Sequence, residues 1–151
     1  MSNLITIEEI KAGIKEIYRP FFLIGSASFN PQVKPVIESL WEAIDIFAPK
    51  IKLGKPVHVL LATSPFKVDK ENFAMSFESK GDVINFVVES FIFLDAIKMF
   101  GYPKELQIAS IIEEFVHAFM NVSDEELVKF IVRDIYPKIS VVDGCYSLLK
   151  P

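Results

Sequence analysis

The chain has 151 residues, of which 51% are hydrophobic and 24% are charged, and its formal net charge is −4 at neutral pH. This length predicts a single domain spanning residues 1–151 with a core of its own, and the high apolar content excludes an intrinsically disordered protein. The 16 lysines and arginines are scattered, whereas nucleic-acid binding needs a concentrated basic face, so no nucleic-acid partner is expected.

The remaining compositional features are those of a cytoplasmic protein. The single cysteine, Cys145, excludes an internal disulfide and is typical of a reducing compartment. The residues that follow Met1 lack the basic region and the apolar run of a secretory signal. The most hydrophobic stretch, residues 83–100, is interrupted by charged side chains, so no membrane span and no membrane partner are expected.

Hydrophobic periodicity predicts two helices and a strand in the first third of the chain. Apolar residues recur at helical spacing over residues 7–18, and a proline shortly after them ends the helix. Residues 21–24 form a short apolar run that favours a buried strand. An asparagine and a proline at positions 30 and 31 are typical of a helix start, and the apolar face that follows extends to Phe47.

Three strands are predicted next, at residues 57–62, 73–78 and 83–88. The first is rich in β-forming residues, and the second alternates with the period of a strand. The Ser-Lys-Gly-Asp segment between the second and the third is a turn signal, so these two strands are expected to form a hairpin.

The chain then becomes helical. Residues 90–100 are apolar on nearly every side and stop at a glycine, which predicts a buried helix. A second helix covers residues 104–121. A third begins at a capping box, with Ser123 as the N-cap and Glu126 reaching back to it, and ends near residue 135.

A small hairpin is predicted at the C-terminal end. Residues 139–142 and 145–148 are joined by Asp143 and Gly144, a dipeptide typical of a type I′ turn. The order of elements predicts an α+β fold, with a mixed sheet of about four strands backed by helices and a helical C-terminal half.

The segment with the clearest chemical content is IIEEFVHAF at residues 111–119, inside the predicted helix 104–121. Glu113 and His117 are four residues apart, and Glu114 and His117 are three apart, so all three side chains are expected to face one point. On a helical wheel they belong to a polar arc that contains Gln107, Ser110, Glu113, Glu114, His117 and Asn121.

This arc has two interpretations. Glutamates are common on the solvated face of an amphipathic helix, and a Glu–His pair at this spacing is an ordinary surface contact. However, the apolar arc of this helix is wide, so the helix is expected to be packed on most sides. Its polar stripe would then line a cleft.

Residues 111–119 resemble the active-site helix of the zincin-like metallopeptidases, whose H-E-x-x-H signature carries two zinc ligands and a general base. The order of a strand, a backing helix and further strands upstream is also similar, so the resemblance covers residues 21–135. It implies that Glu114 is the general base and that His117 is a zinc ligand. Glu113 takes the position of the other ligand.

The resemblance implies a third ligand from the segment after the helix. Asp124 is the expected residue, and Glu125 and Glu126 follow it, although all three also fit the first turn of a capped helix. Glu113 can bind zinc through oxygen, but its negative charge lowers the Lewis acidity of the ion. The predicted helix 90–100, which precedes the motif helix, is a second departure from the family.

Two functions remain open. The first is a zinc-dependent hydrolase of peptide bonds, with catalysis impaired or lost. The second is a non-catalytic module without metal that binds a peptide or protein partner as an added strand. A di-iron site is excluded, because it needs two Glu-x-x-His motifs and His58 is the only other histidine. His58 itself is expected to pack in the core or at its rim.

Overall fold

The chain forms an α+β fold, as the sequence predicts. A computed structural model describes residues 4–26, 30–62, 66–78, 81 and 83–150. Within these residues the helices are α1 (Ile7–Ala12), α2 (Lys34–Phe47), α3 (Ala96–Phe100), α4 (Lys104–Met120) and α5 (Glu125–Ile135). The strands are β1 (Phe22–Ser26), β2 (Val57–Ala62), β3 (Phe66–Lys70), β4 (Phe73–Phe77), β5 (Asn85–Val88), β6 (Phe91–Asp95), β7 (Ile139–Val142) and β8 (Cys145–Leu148).

Four of the strands make a mixed sheet in the order β1-β2-β6-β5, which confirms the predicted sheet of about four strands. β1, β2 and β6 run parallel, and β5 pairs antiparallel with β6 at one edge. Parallel neighbours need a crossover between them, and α2 provides the one from β1 to β2. The other described strands make two separate hairpins, β3–β4 and β7–β8.

Helices α2 and α4 pack against each other and against the sheet to form the core. Four phenylalanine rings join the layers. The ring of the strand and the ring of α2 each contact both rings of α4, with centroids 5.1–5.8 Å apart. Ring pairs at these distances add to the stabilisation that area burial provides. The four are Phe22 of β1, Phe47 of α2, and Phe115 and Phe119 of α4. They fix which side of α4 faces the core.

The predicted helix over residues 90–100 is wrong. Phe91–Asp95 is a strand in the interior of the sheet, and only Ala96–Phe100 is helical. A short apolar run suits a buried strand and a buried helix equally well, and here β2 and β5 supply backbone partners on both sides. The helix that separates the sheet from the motif helix therefore shrinks to 5 residues.

The predicted hairpin between residues 73–78 and 83–88 is also wrong. β4 pairs with β3, a strand that the sequence pattern did not reveal, while β5 pairs with β6 through a turn at Glu89 and Ser90. Glu89 has a φ of 54°, the left-handed conformation that a two-residue hairpin turn favours. Residues 79, 80 and 82 of the predicted turn lie outside the described residues.

The first predicted helix ends earlier than residue 18, because α1 stops at Ala12. The Trp41 indole lies so close to Gly13 that a Cβ atom there would come within 2.0 Å of the ring. Its Nε1 donates a hydrogen bond of 2.8 Å to the Ile10 carbonyl. The helix therefore ends where Trp41 docks.

The other predicted elements are confirmed to within a few residues. In the C-terminal hairpin, Asp143 and Gly144 have φ values of 51° and 75°, as a type I′ turn requires. Among the described helices, none combines the length and the apolar composition that crossing a membrane would need.

Gln107 anchors α4 to the helices beside it. Its side chain is buried, and its Oε1 accepts a hydrogen bond of 2.7 Å from the Ser39 hydroxyl of α2. Its Nε2 donates hydrogen bonds of 2.9 Å to the carbonyl groups of Met99 and Tyr102. Both ends of the amide are satisfied, so this network sets the position of α4 along α2.

Replacing Gln107 with leucine is expected to lower the free energy of unfolding by about 2–4 kcal/mol, because buried polar groups lose their partner at a cost of about 1–3 kcal/mol each. Chemical denaturation measures the change. The matched control is Gln32→Leu at an exposed position, with an expected change within about 0.5 kcal/mol. Equal losses in the two variants would contradict the anchoring role.

Candidate metal centre

The polar arc of α4 faces other elements of the fold. α5 and the hairpin β7–β8 both pack against this helix. In this arc Gln107 and Glu114 are buried. Ser110, Glu113 and His117 are half-buried, and Asn121 is exposed. Burial therefore favours the interpretation of the arc as the lining of a cleft over that of a solvated face.

Two side chains of the arc point away from the rest. Gln107 makes the contacts to α2 and α3 described above. Ser110 accepts a hydrogen bond of 2.6 Å from the side-chain amide of Asn85 on β5, whose Oδ1 is buried without a partner in the described part of the chain. Of the three residues expected to face one point, Glu113 and His117 offer ligand atoms to the same cluster, and Glu114 lies beside it.

His117 is oriented by the backbone that follows α4. Asn121 ends the helix in the left-handed conformation with a φ of 55°, and the Val122 carbonyl oxygen then lies 2.7 Å from Nδ1 of His117. Because a carbonyl can only accept, Nδ1 carries the hydrogen and Nε2 of the neutral ring keeps its lone pair. Metal-binding histidines are held in this way.

The N-cap of α5 is Asp124 rather than the predicted Ser123. The Asp124 carboxylate accepts a hydrogen bond of 2.8 Å from the backbone N–H of Leu127. Aspartate caps a helix as well as serine does, so the predicted capping box does not form. The structure thus places Asp124 at the helix cap, and the acidic residue that faces His117 is the next one, Glu125.

Glu113, His117 and Glu125 form a cluster that could hold a metal ion. One ligand atom from each lies within 4.8 Å of the others, and Nε2 of His117 is 3.6 Å from a carboxylate oxygen of Glu125. Zinc–ligand bonds of about 2.0–2.1 Å place two ligands of a tetrahedral ion about 3.3 Å apart. The His117–Glu125 pair is close to that separation, and the ligand atoms of the other pairs lie within 4.8 Å of one another. These residues therefore fit a divalent cation.

Glu114 lies beside this cluster on the covered side of α4. It is 7% exposed, and no described residue donates a hydrogen bond to its carboxylate. Burial, and after it the negative charges of Glu113 and Glu125, raises the pKa of Glu114 to about 8. A carboxylate in such a place is costly unless it is protonated or compensated by a cation.

Tyr146 completes the surroundings of Glu113, and the sequence did not predict it. It lies on β8 opposite Val141 of β7, in the hairpin that packs against α4. Its hydroxyl oxygen is buried next to the Glu113 carboxylate, close enough to interact but outside the geometry of a fully formed hydrogen bond. Burial, followed by the charge of Glu113 and of two further carboxylates, raises the pKa of Tyr146 above its usual range.

The centre carries an excess of negative charge. Nζ of Lys129 lies 3.7 Å from one carboxylate oxygen of Glu125. Among the described residues, Lys129 supplies the positive charge beside the cluster. With Glu114 protonated, Glu113 and Glu125 together carry the charge that a divalent cation neutralises. The charge and the donor types therefore agree with the geometry.

An open cleft of about 360 Å³ adjoins the cluster between α5 and the C-terminal hairpin. Glu125 belongs to both the cluster and the cleft. Phe130 and Val141 give the cleft an apolar wall, and Glu126 and Lys129 line it with charge. The cluster is therefore adjacent to an opening in the surface.

His58 and Cys145 lie outside this centre. The His58 ring stacks on the Phe91 ring with the centroids 4.6 Å apart, which confirms that this histidine packs against its neighbours. Cys145 is exposed at the beginning of β8. Neither residue belongs to the cluster of potential ligands.

Comparison with known proteins found no match: no family model, no curated protein and no solved structure corresponds to the chain. The resemblance to the zincin-like metallopeptidases rests on residues 111–119 and on the order of elements, and it stays a prediction. The function has to be inferred from the geometry of the centre itself.

In metal-free protein, Glu114 is expected to lower the free energy of unfolding as the pH rises from about 4.5 to about 8. The unfolded chain loses the Glu114 proton near the ordinary pKa of 4.5, whereas the folded chain keeps it up to about 8, so the folded state loses stability as the pH rises. Glu114→Gln removes this dependence. The variant should gain stability over the wild type as pH rises, by a few kcal/mol in order of magnitude. Denaturation in chelator at a series of pH values measures the difference.

Glu126→Gln is the control, because it removes a carboxylate from an exposed position on the neighbouring helix. Its stability curve is expected to run parallel to that of the wild type. A parallel curve for Glu114→Gln as well would show that burial does not perturb Glu114.

Proposed function

We propose that the protein binds a divalent metal ion through Glu113, His117 and Glu125 and uses it to hydrolyse peptide bonds. The observation that carries the proposal is the convergence of these three potential ligands beside Glu114, a carboxyl group that is 7% exposed and to which no described residue donates a hydrogen bond. A carboxyl group in that position is costly in its charged form, and a cation next to it offsets the cost.

Each residue has a separate part in the proposed reaction. Nε2 of His117 and the carboxylates of Glu113 and Glu125 would hold the ion, which when bound polarises a carbonyl group and acidifies water. Glu114 would take the proton of the attacking water and pass it to the leaving amine. A general base needs a pKa near the working pH, and burial already raises the pKa of Glu114 to about 8. A positive charge beside it favours the ionised form.

Zinc is the proposed ion. It accepts imidazole nitrogen at about 2.0–2.1 Å and carboxylate oxygen at about 2.0–2.2 Å, which matches the donor types of the cluster. Two carboxylates and one imidazole also suit manganese, so both ions belong in the test.

A peptide is the proposed substrate because an edge strand lies beside the centre. β5 packs against α4 and is the terminal strand of the sheet among the described strands, and an end strand is where an extended peptide can be added. Asn85 of β5 bonds to Ser110, one helical turn before Glu114. A peptide added to β5 would therefore join the strand that packs against α4, the helix that carries the proposed general base. The zincin-like resemblance of residues 111–119 supports the same substrate class.

The second candidate is a peptide-binding module in which catalysis has been lost. Glu113 stands where the zincin-like pattern has a histidine, and a second carboxylate among the ligands lowers the Lewis acidity of a bound ion. Lys129 also competes with a metal ion for Glu125, since its Nζ lies 3.7 Å from the carboxylate. Both features favour binding over cleavage, and the edge of β5 would serve either role.

The protein is expected to bind one zinc or manganese ion, and His117→Ala is expected to weaken binding severely. The loss should exceed the roughly 10- to 100-fold that removal of an outer-shell partner costs, because a direct ligand is removed. Titration calorimetry on chelator-treated protein measures the affinity, and the ion should also raise the melting temperature of the wild type.

His58→Ala is the matched control, because it removes the other histidine of the chain from a place outside the cluster. It should bind the ion as the wild type does. A wild-type protein that binds neither ion, with an unchanged melting temperature, would rule out the metal-dependent function.

If the protein is catalytic, Glu114→Gln is expected to abolish peptide hydrolysis while leaving the ion bound. General base catalysis contributes about 10²- to 10⁴-fold to the rate, so kcat should fall by that factor with little change in metal affinity. Cleavage of fluorogenic peptide mixtures by the zinc- or manganese-loaded protein provides the assay, and Glu38→Gln, at an exposed position of α2, is the control. Retained hydrolysis in Glu114→Gln would remove Glu114 from the mechanism, and no hydrolysis by the loaded wild type would favour the binding module.

A further inference from the structure

The C-terminal hairpin brings one polar group against the centre, the hydroxyl of Tyr146. Tyr146 and Val141 are direct partners across β7 and β8, so their side chains lie on the same face of the hairpin. The type I′ turn at Asp143 and Gly144 sets this register. The hairpin in turn packs on α4, and Ile139 at its beginning is buried in the core. The position of Tyr146 is thus determined by the hairpin as a unit.

The Tyr146 hydroxyl is a buried donor that interacts with the Glu113 carboxylate of the cluster. Its oxygen is buried, and it has no hydrogen-bond partner of full geometry among the described residues. Phenol is protonated at neutral pH, so it has a hydrogen to donate. The Glu113 carboxylate interacts with it most strongly, and the charges of Glu114 and Glu125 act on it as well.

Glu113 is the ligand that most needs such a donor. His117 is fixed by the Val122 carbonyl, and Glu125 interacts with Lys129, but no other described side chain is positioned to orient the Glu113 carboxylate. A glutamate side chain has three rotatable bonds, so an unsupported carboxylate spreads over several positions. Carboxylates that bind metal are as a rule hydrogen-bonded by outer-shell groups.

We propose that Tyr146 is a positioning residue, which donates its hydroxyl hydrogen to Glu113 and orients that carboxylate as a metal ligand. This inference rests on the proposed metal site, and it adds the C-terminal hairpin to it. The hydroxyl needs only a small movement to complete the bond, because it already lies next to the carboxylate.

The test is the metal affinity of four proteins: the wild type, Tyr146→Phe, Glu113→Gln and the double variant. Zinc and manganese are titrated into chelator-treated protein by calorimetry, with Tyr102→Phe at an exposed position as the control. Tyr146→Phe is expected to weaken binding by about 10- to 100-fold, and to have almost no further effect once Glu113 has been replaced. Tyr102→Phe should bind as the wild type does.

The outcomes separate the two proposals. A wild type that binds ions, together with a Tyr146→Phe variant of equal affinity, overturns the role of Tyr146 and leaves the metal site standing. A wild type that binds no ion overturns both. Equal effects of Tyr146→Phe in the presence and absence of Glu113 would also overturn the positioning role, because the hydroxyl would then act without this carboxylate.

A spectroscopic measurement keeps the test independent of the stability of the variants. The chain contains 4 tyrosines, so the ¹³Cζ resonances of labelled protein can be assigned by single substitutions. Zinc is expected to shift the Tyr146 resonance in the wild type, and this shift should be lost in Glu113→Gln. If the protein binds zinc and the chemical shift of Tyr146 does not change, the proposal is contradicted.

Discussion

The enclosure of α4 is the constraint on which the candidate centre depends. Phe22 and Phe47 hold its apolar side against the sheet and α2, while α5 and the C-terminal hairpin cover its polar side. Restricting the access of water to part of that polar side raises the cost of an unpaired charge there, Glu114 above all, and strengthens charge–charge interactions. On a solvated helix these glutamates would be ordinary surface residues. Here the pKa of Glu114 is raised, and Glu113 is a potential metal ligand. The chemistry follows from what surrounds the helix as much as from its residues.

The sequence predicts those elements whose pattern is local. The long amphipathic helices α2 and α4 are visible from their apolar periodicity, and the hairpin β7–β8 is visible from Asp143 and Gly144, because each signal lies within the element itself. Residues 91–95 are different, since a short apolar run has no period that separates strand from helix. These residues form β6 because strands on both sides pair with them, and the pairing partners lie elsewhere in the chain. The same applies to the pairing of β4.

The residues of the candidate centre also differ in whether a local pattern predicts them. Glu113, Glu114 and His117 could be predicted because helical spacing alone places them on one side of α4. Among the three acidic residues after α4, Asp124 is the expected ligand, whereas Glu125 is the one that lies in the cluster, because α5 begins one residue later than predicted and Asp124 caps it. Tyr146 was missed because nothing local connects β8 to α4; its role depends on where the hairpin packs.

The left-handed turn at Asn121 has a consequence for how the centre forms. It joins α4 to α5 through a short connection, so the three potential ligands all lie within residues 113–125. The entropy lost on closing a loop grows with its length, so bringing these ligands together costs little chain entropy compared with a site built from distant strands. The ligand set is therefore local in the chain and lies on a pair of adjacent helices. Tyr146 lies on a separate hairpin further along the chain, so its contact with the cluster is a long-range one.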